Sequence, residues 1–169
     1  MTASEDTNLV KADTGSSVTK EAAALELVRR HAGWAAAGGL VPMPGLDVAA
    51  ILASQLKMLS DIAALYDITF KTELVRPLVG SLVSSLGPVA VAQASGSLLK
   101  TIPFVGTIAA MFWQPALASA TTWALGKVFI QHFESGGTFL DFNPESVRAY
   151  FRKQFEVERS GSAKSAKAA

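Results

Sequence analysis

Residues 77–126, PLVGSLVSSLGPVAVAQASGSLLKTIPFVGTIAAMFWQPALASATTWALG, decide how this chain must fold, because Lys100 is their only charge. Lys100 divides the stretch into uncharged runs of 77–99 and 101–126, and an earlier run, 32–56, holds Asp47 as its sole charge. Such lengths approach the ~20 apolar residues that cross a bilayer as a helix. Gly, Ser, Thr, Gln and Pro dilute all three, and Ala supplies much of the apolar content, so each is a marginal span on a transfer scale. A helix apolar on every side can also lie at the centre of a soluble bundle. In a chain of 169 residues, however, few charged helices are left to wrap three uncharged ones, which favours membrane association.

Composition narrows the function classes further. Half of the residues are hydrophobic and 17% are charged, with 15 Lys and Arg against 14 Asp and Glu. Global disorder is excluded. No cysteine is present, which removes disulfide scaffolds, thiolate catalysis and cysteine-ligated zinc. A net charge of +1 with scattered basic residues gives no face for nucleic acid. Phosphate-binding glycine loops, Gly-x-Gly-x-x-Gly, His-Glu-x-x-His and Gly-x-Ser-x-Gly are all missing from the sequence. His132 and Glu134, two residues apart, point in different directions on a helix, and His31 stands alone. The sequence therefore predicts no enzyme, no cofactor and no metal site.

Periodicity predicts an all-α fold, a compact bundle of helical hairpins with small-residue, largely uncharged central helices and a C-terminal amphipathic helix. Residues 20–31 are strong helix formers. Over 45–67, Val48, Ile51, Leu52, Leu59, Ile62 and Tyr66 recur at helical spacing. Pro88 is expected to separate helices of about 71–86 and 89–100, and Pro115 to bend a helix of about 104–133. Asn143-Pro144-Glu145 carries a capping residue, proline at the first helical position and an acidic first turn, and opens a last helix reaching about Glu158. Residues 1–19 and 159–169 lack apolar periodicity and are expected as disordered tails around a single helical domain, 20–158. No basic region leads into an apolar core and cleavage site, so the N-terminus predicts no signal peptide.

Four residues mark structural turns: Pro42 and Gly45 in one corner, Pro103 and Gly106 in a similar one, each proline preceding a glycine and then a small-residue helix. Gly80, Gly87 and Gly96, interleaved with Ser and Ala, predict close helix packing. Trp34, beside Arg29 and Arg30, and Trp123, four residues before Lys127, stand where interfacial belt residues belong, whereas Trp113 reads as core. On the last helix Phe151 and Phe155 share a stripe flanked by Arg148 and Arg152, a pattern that suits an anionic surface, a partner groove or docking on its own domain, with docking favoured.

Ala35-Ala-Ala-Gly-Gly-Leu-Val-Pro-Met-Pro-Gly-Leu-Asp47, Gln55-Leu-Lys-Met-Leu-Ser-Asp-Ile-Ala-Ala-Leu-Tyr66 and Leu99-Lys-Thr-Ile-Pro-Phe-Val-Gly106 together resemble the YcjF-type domain of unknown function over roughly residues 20–135. That resemblance implies a bacterial inner-membrane protein, with the tails on the cytoplasmic side. The domain is sometimes attached to Era-like GTPase domains. This chain carries no GTPase motif, so any such GTPase partner is a separate polypeptide. The resemblance supplies no catalytic residue. Two functions are thus expected: a non-enzymatic, membrane-associated helical module that contacts lipid and serves as accessory to a GTPase, or a soluble or oligomeric cytoplasmic adaptor, including a homo-oligomer, that binds a protein through its apolar helices.

Overall fold

A computed structural model describes the backbone of residues 3–38, 46–87 and 103–168, and the side chains of 19–37, 49–87 and 116–162. The described residues form five helices and no strand: α1 (Ala3–Gly38), α2 (Leu46–Leu65), α3 (Thr72–Ser84), α4 (Pro103–Glu134) and α5 (Pro144–Ala168). The fold is all-α. Pro42 and Gly45, the break at Pro88, the helix of 89–100, Gly96 and Lys100 lie outside the described residues.

Helix α4 is the spine, packing against α1, α2 and α5, while α3 leans on α5 and α2. Side-chain ties give the directions. Lys20 pairs with Asp67 at 3.7 Å, and His31 meets Asp61 at 3.4 Å, so α1 and α2 are antiparallel. The Tyr66 hydroxyl donates to Glu134, and Gln55 donates to Thr122 at 3.4 Å, so α2 and α4 run together. The core they enclose contains Val28, Met58, Leu59, Ile62, Val79, Leu82, Leu125 and Phe129, each at most 1% exposed.

Aromatic rings close one end of the bundle. Phe129 stacks on Phe142, with centroids 4.4 Å apart and planes 15° apart, while Phe133 meets Phe139 edge-on at 5.2 Å and Phe70 meets Phe139 edge-on at 5.8 Å. Phe70 comes from the α2–α3 connection and Phe139 and Phe142 from the α4–α5 connection, so both turns are pinned to the core by their own rings.

Both turns also use the same helix ending. At α4 the Gly137 amide donates to the His132 carbonyl and the Gly136 amide to the Phe133 carbonyl, with Gly136 at φ 80°. At α2 the Ile68 amide reaches the Ala63 carbonyl and the Asp67 amide the Ala64 carbonyl, with Asp67 at φ 58°. Aspartate tolerates this left-handed conformation better than most side chains, and here it faces Lys20. The helix of 45–67 expected from periodicity therefore ends at Leu65.

Two helices pass the domain limits expected from the sequence. Helix α1 begins at Ala3, and α5 continues to Ala168. No proline interrupts residues 3–38, and a nucleated helix adds further turns at little cost, which burial-based reasoning overlooks. Helix α4 likewise runs through Pro115 as one helix, and begins at Pro103, where the missing amide of proline costs nothing.

Candidate functional site

The outward surface changes character along the bundle axis. On α1 the exposed positions include Glu21, Glu26, Arg29 and Arg30, and then Gly33, Trp34 and Ala37. On α2, followed toward the same end, Lys57 gives way to Ala53, Ala50 and Ala49. On α3 exposed Glu73 and Arg76 precede exposed Pro77, Gly80 and Ser84, and Gly87 just past the helix is exposed as well. At 1.5 Å per residue, Arg30 and Lys57 each lie about 15 Å from the Lys20–Asp67 pair, so the charged surface stops at one level on adjacent helices. Helix α5 differs by exposing Lys153 and Glu156 along its outer side. Asp47, the one charge of the 32–56 run, has its side chain outside the described residues.

Polar groups inside the bundle gather at the border. Gln55 and Thr122 are 3% and 0% exposed, and the Thr122 hydroxyl also donates to the Ala118 carbonyl at 2.8 Å. His31, 2% exposed, places Nε2 3.4 Å from Asp61 Oδ2, while the other carboxylate oxygen of Asp61 takes Lys57. His31 Nδ1 is buried with no hydrogen-bond partner among the described residues. Burial holds the imidazole below its usual pKa of 6.5, outweighing the opposing pull of Asp61, with Arg30 and Lys57 adding to the depression.

A histidine that is harder to protonate folded than unfolded contributes fully above the unfolded pKa, and that contribution is lost as pH falls from about 6.5 through the lower folded value. The denaturant midpoint of the protein should therefore drop below pH 6.5. His31→Gln should flatten that part of the profile, and an unchanged slope in the variant would assign the loss to other groups.

At the charged end, burial first and the Glu134 contact second raise the pKa of the Tyr66 phenol, so Tyr66 stays a donor. His132 Nε2 donates to the Thr138 carbonyl at 2.8 Å, and its ring fills the space a Cβ at Gly137 would need, 2.4 Å away. Thr138 donates to Asp141 from its hydroxyl at 2.5 Å and its amide at 2.7 Å, which lowers the Asp141 pKa. His132 is thus a turn-closing residue. Among the described residues no group of three or more His, Asp or Glu could hold a metal ion.

The other residues singled out by the sequence are placed as follows. Trp34 is 61% exposed, whereas Trp123 is half-buried against the core. Phe151 and Phe155 are 0% and 3% exposed within the core, so the stripe of α5 docks on its own domain and is not an open interface. Arg152 follows them inward, donating to the Ser85 carbonyl at 2.8 Å where α3 ends, and Arg148 pairs with Glu145. Gly80 and Gly87 are exposed, and a Cβ on either would meet no described atom within 4 Å. Close helix contact falls instead at Gly126, where a Cβ would lie 2.3 Å from Val28 Cγ2 and 3.1 Å from Val28 Cβ. In the sequence Gly126 marks only the end of an uncharged run, and nothing there links it to Val28. Pro103 and Gly106 lie in the first turn of α4, with side-chain surroundings outside the described residues.

Among the described residues no helix is long and apolar enough to cross a membrane. The transmembrane helix expected from the uncharged runs is therefore not found there: the uncharged part of α4 mixes Gly, Ser, Thr, Gln and Pro into its apolar residues.

Fold and surface together define an all-α bundle in which α1, α2 and α3 expose charge toward one end only while α5 exposes it along its length, without a recognisable catalytic constellation among the described side chains. Over residues 7–160 the chain matches the family described as a domain of unknown function, DUF697, and it belongs to that family. Magnetosome membrane protein 22 of Magnetospirillum gryphiswaldense is 35% identical over 152 residues, covering 89% of this chain and 78% of the relative. No solved structure matches the chain. The resemblance to a bacterial domain of unknown function read from the small-residue motifs agrees with these matches.

Proposed function

We infer that the protein is a non-enzymatic, membrane-associated helical module whose uncharged end meets the bilayer. The observation that carries this reading is the change of exposed residues, on α1, α2 and α3, from charged to uncharged beyond Arg30, Lys57 and Arg76. A lipid surface penalises exposed charge, and beyond that level these three helices show none among the described side chains. A relative carrying the name magnetosome membrane protein supports the same location.

With Arg30, Lys57 and Arg76 at the border, the positive-inside tendency would put the charged end and the start of α1 on the cytoplasmic side of a bacterial inner membrane. That end also carries a groove of about 390 Å³ between the α2–α3 and α4–α5 turns, rimmed by Lys71, Leu74 and Leu140. Leu74 and Leu140 are 41% and 83% exposed. A separate GTPase is the partner this face would serve, in keeping with the family resemblance.

On cell fractionation the protein should sediment with membranes and resist carbonate extraction. Quantitative recovery in the soluble fraction without detergent would overturn the membrane reading and favour a soluble adaptor.

A further inference from the structure

The border itself has a built feature. Trp34 is the largest exposed side chain on the uncharged side of α1, one turn beyond Arg30, and the Arg30 guanidinium lies 5.8 Å from the centre of its ring. From below, the buried His31 ring meets Trp34 edge-on, with centroids 5.3 Å apart, which fixes the indole in place. Arg29 is neutralised by Glu26 at 2.7 Å, but Arg30 has no carboxylate partner among the described residues.

An indole has a large apolar body with one N–H donor, and it is most stable where hydrocarbon meets headgroup. A guanidinium presents a planar fork of donors that matches phosphate oxygens. Here the two are stacked, so that the apolar partner faces the uncharged end and the cation faces the charged end. Gly33 beside them is exposed, and a Cβ there would meet no described atom within 4 Å, so nothing described crowds the pair. Resting on the membrane reading above, we propose that Trp34 and Arg30 form an interfacial anchor. Trp34 inserts at the level of the lipid headgroups and Arg30 binds a lipid phosphate, which sets the depth at which the bundle sits on an anionic bilayer.

The test uses the full chain with vesicles of phosphatidylcholine alone or mixed with phosphatidylglycerol. The anchor predicts that Arg30→Gln weakens binding to the anionic vesicles about fivefold, the effect of removing one basic group near such a surface, and changes binding to neutral vesicles little. Arg30→Lys should restore most of the loss. Lipids brominated high on their acyl chains should quench the fluorescence of a Trp113→Phe/Trp123→Phe chain, in which Trp34 is the sole tryptophan, more than lipids brominated near the chain ends. Adding Trp34→Phe to the wild type should reduce the quenching while the melting temperature stays unchanged. If the wild type binds vesicles but Trp34→Phe leaves the quenching as it was, or Arg30→Gln binds as tightly as the wild type, the anchor is wrong and the membrane reading survives. If the wild type binds neither vesicle, both are overturned together.

Discussion

Phe129→Ala should destabilise the protein by about 3–5 kcal/mol, the usual cost of truncating a buried aromatic, and lower the melting temperature by roughly 10 °C or more in a chain of this size. Phe129 is fully buried, stacks on Phe142, and lies 5.5 Å from the Phe139 ring and 5.9 Å from that of Phe133. Its removal leaves a cavity that the surrounding rings cannot fill, because Phe139 and Phe142 are held by a short turn closed through His132 and Asp141. Thermal melting followed by circular dichroism measures the effect. Leu140→Ala in the same turn is the comparison, since an 83% exposed side chain should change stability by no more than about 0.5 kcal/mol. Equal melting temperatures for the two variants would mean that the aromatic cluster does not hold this end together.

Gly126→Leu is expected to cost about 1–3 kcal/mol through overpacking. The nearest obstacle is Val28, whose Cβ as well as both methyl groups would clash, so a rotamer change alone cannot relieve it. Leucine is the better helix former by just under 1 kcal/mol, so helix content before melting should be retained while the transition moves down. Val28→Ala introduced together with Gly126→Leu should recover part of the loss. Additive losses in the double variant would show that the two residues do not touch.

Much of the architecture was legible because it follows from local rules. The Asn143-Pro144-Glu145 start of α5 is present as read, with the Asn143 side chain accepting from the Glu145 amide at 3.0 Å. Of the positions whose spacing predicted the buried face of α2, Leu59 and Ile62 lie in the core and Leu52 packs against it, while Ile51 stays outside the cluster, Tyr66 lies just past the helix end and the side chain of Val48 is outside the described residues. The stripe of Phe151 and Phe155 pointed to docking, and they are buried. What the sequence could not give depends on which helices become neighbours. Glycines in the uncharged run 77–99 looked like packing positions, yet Gly80 and Gly87 face outward, and the close approach is made by Gly126 against a residue about a hundred positions away. Composition does not distinguish a small residue that admits a neighbour from one that merely avoids charge on an exposed surface. Similarly, His31 reads as a lone helix-end residue until α2 brings Asp61 beside it. The candidate border was half visible: Arg29, Arg30, Lys57 and Arg76 bound the uncharged runs in the sequence, but only the fold sets Arg30 and Lys57 at one height.

Because α4 is the spine against which α1 and α2 bury themselves, the order in which the ribosome releases the chain matters. Helices α1 and α2 emerge first, and core side chains such as Val28, Met58, Leu59 and Ile62 have only one another and α3 for cover until residues 116–134 have been made. Local hairpins such as α4–α5 close quickly, whereas contacts spanning a hundred residues wait on synthesis at about 5–20 residues per second. For several seconds the nascent chain is a pair of greasy helices with an open seam, a state in which capture by a chaperone or early delivery to a lipid surface competes with aggregation.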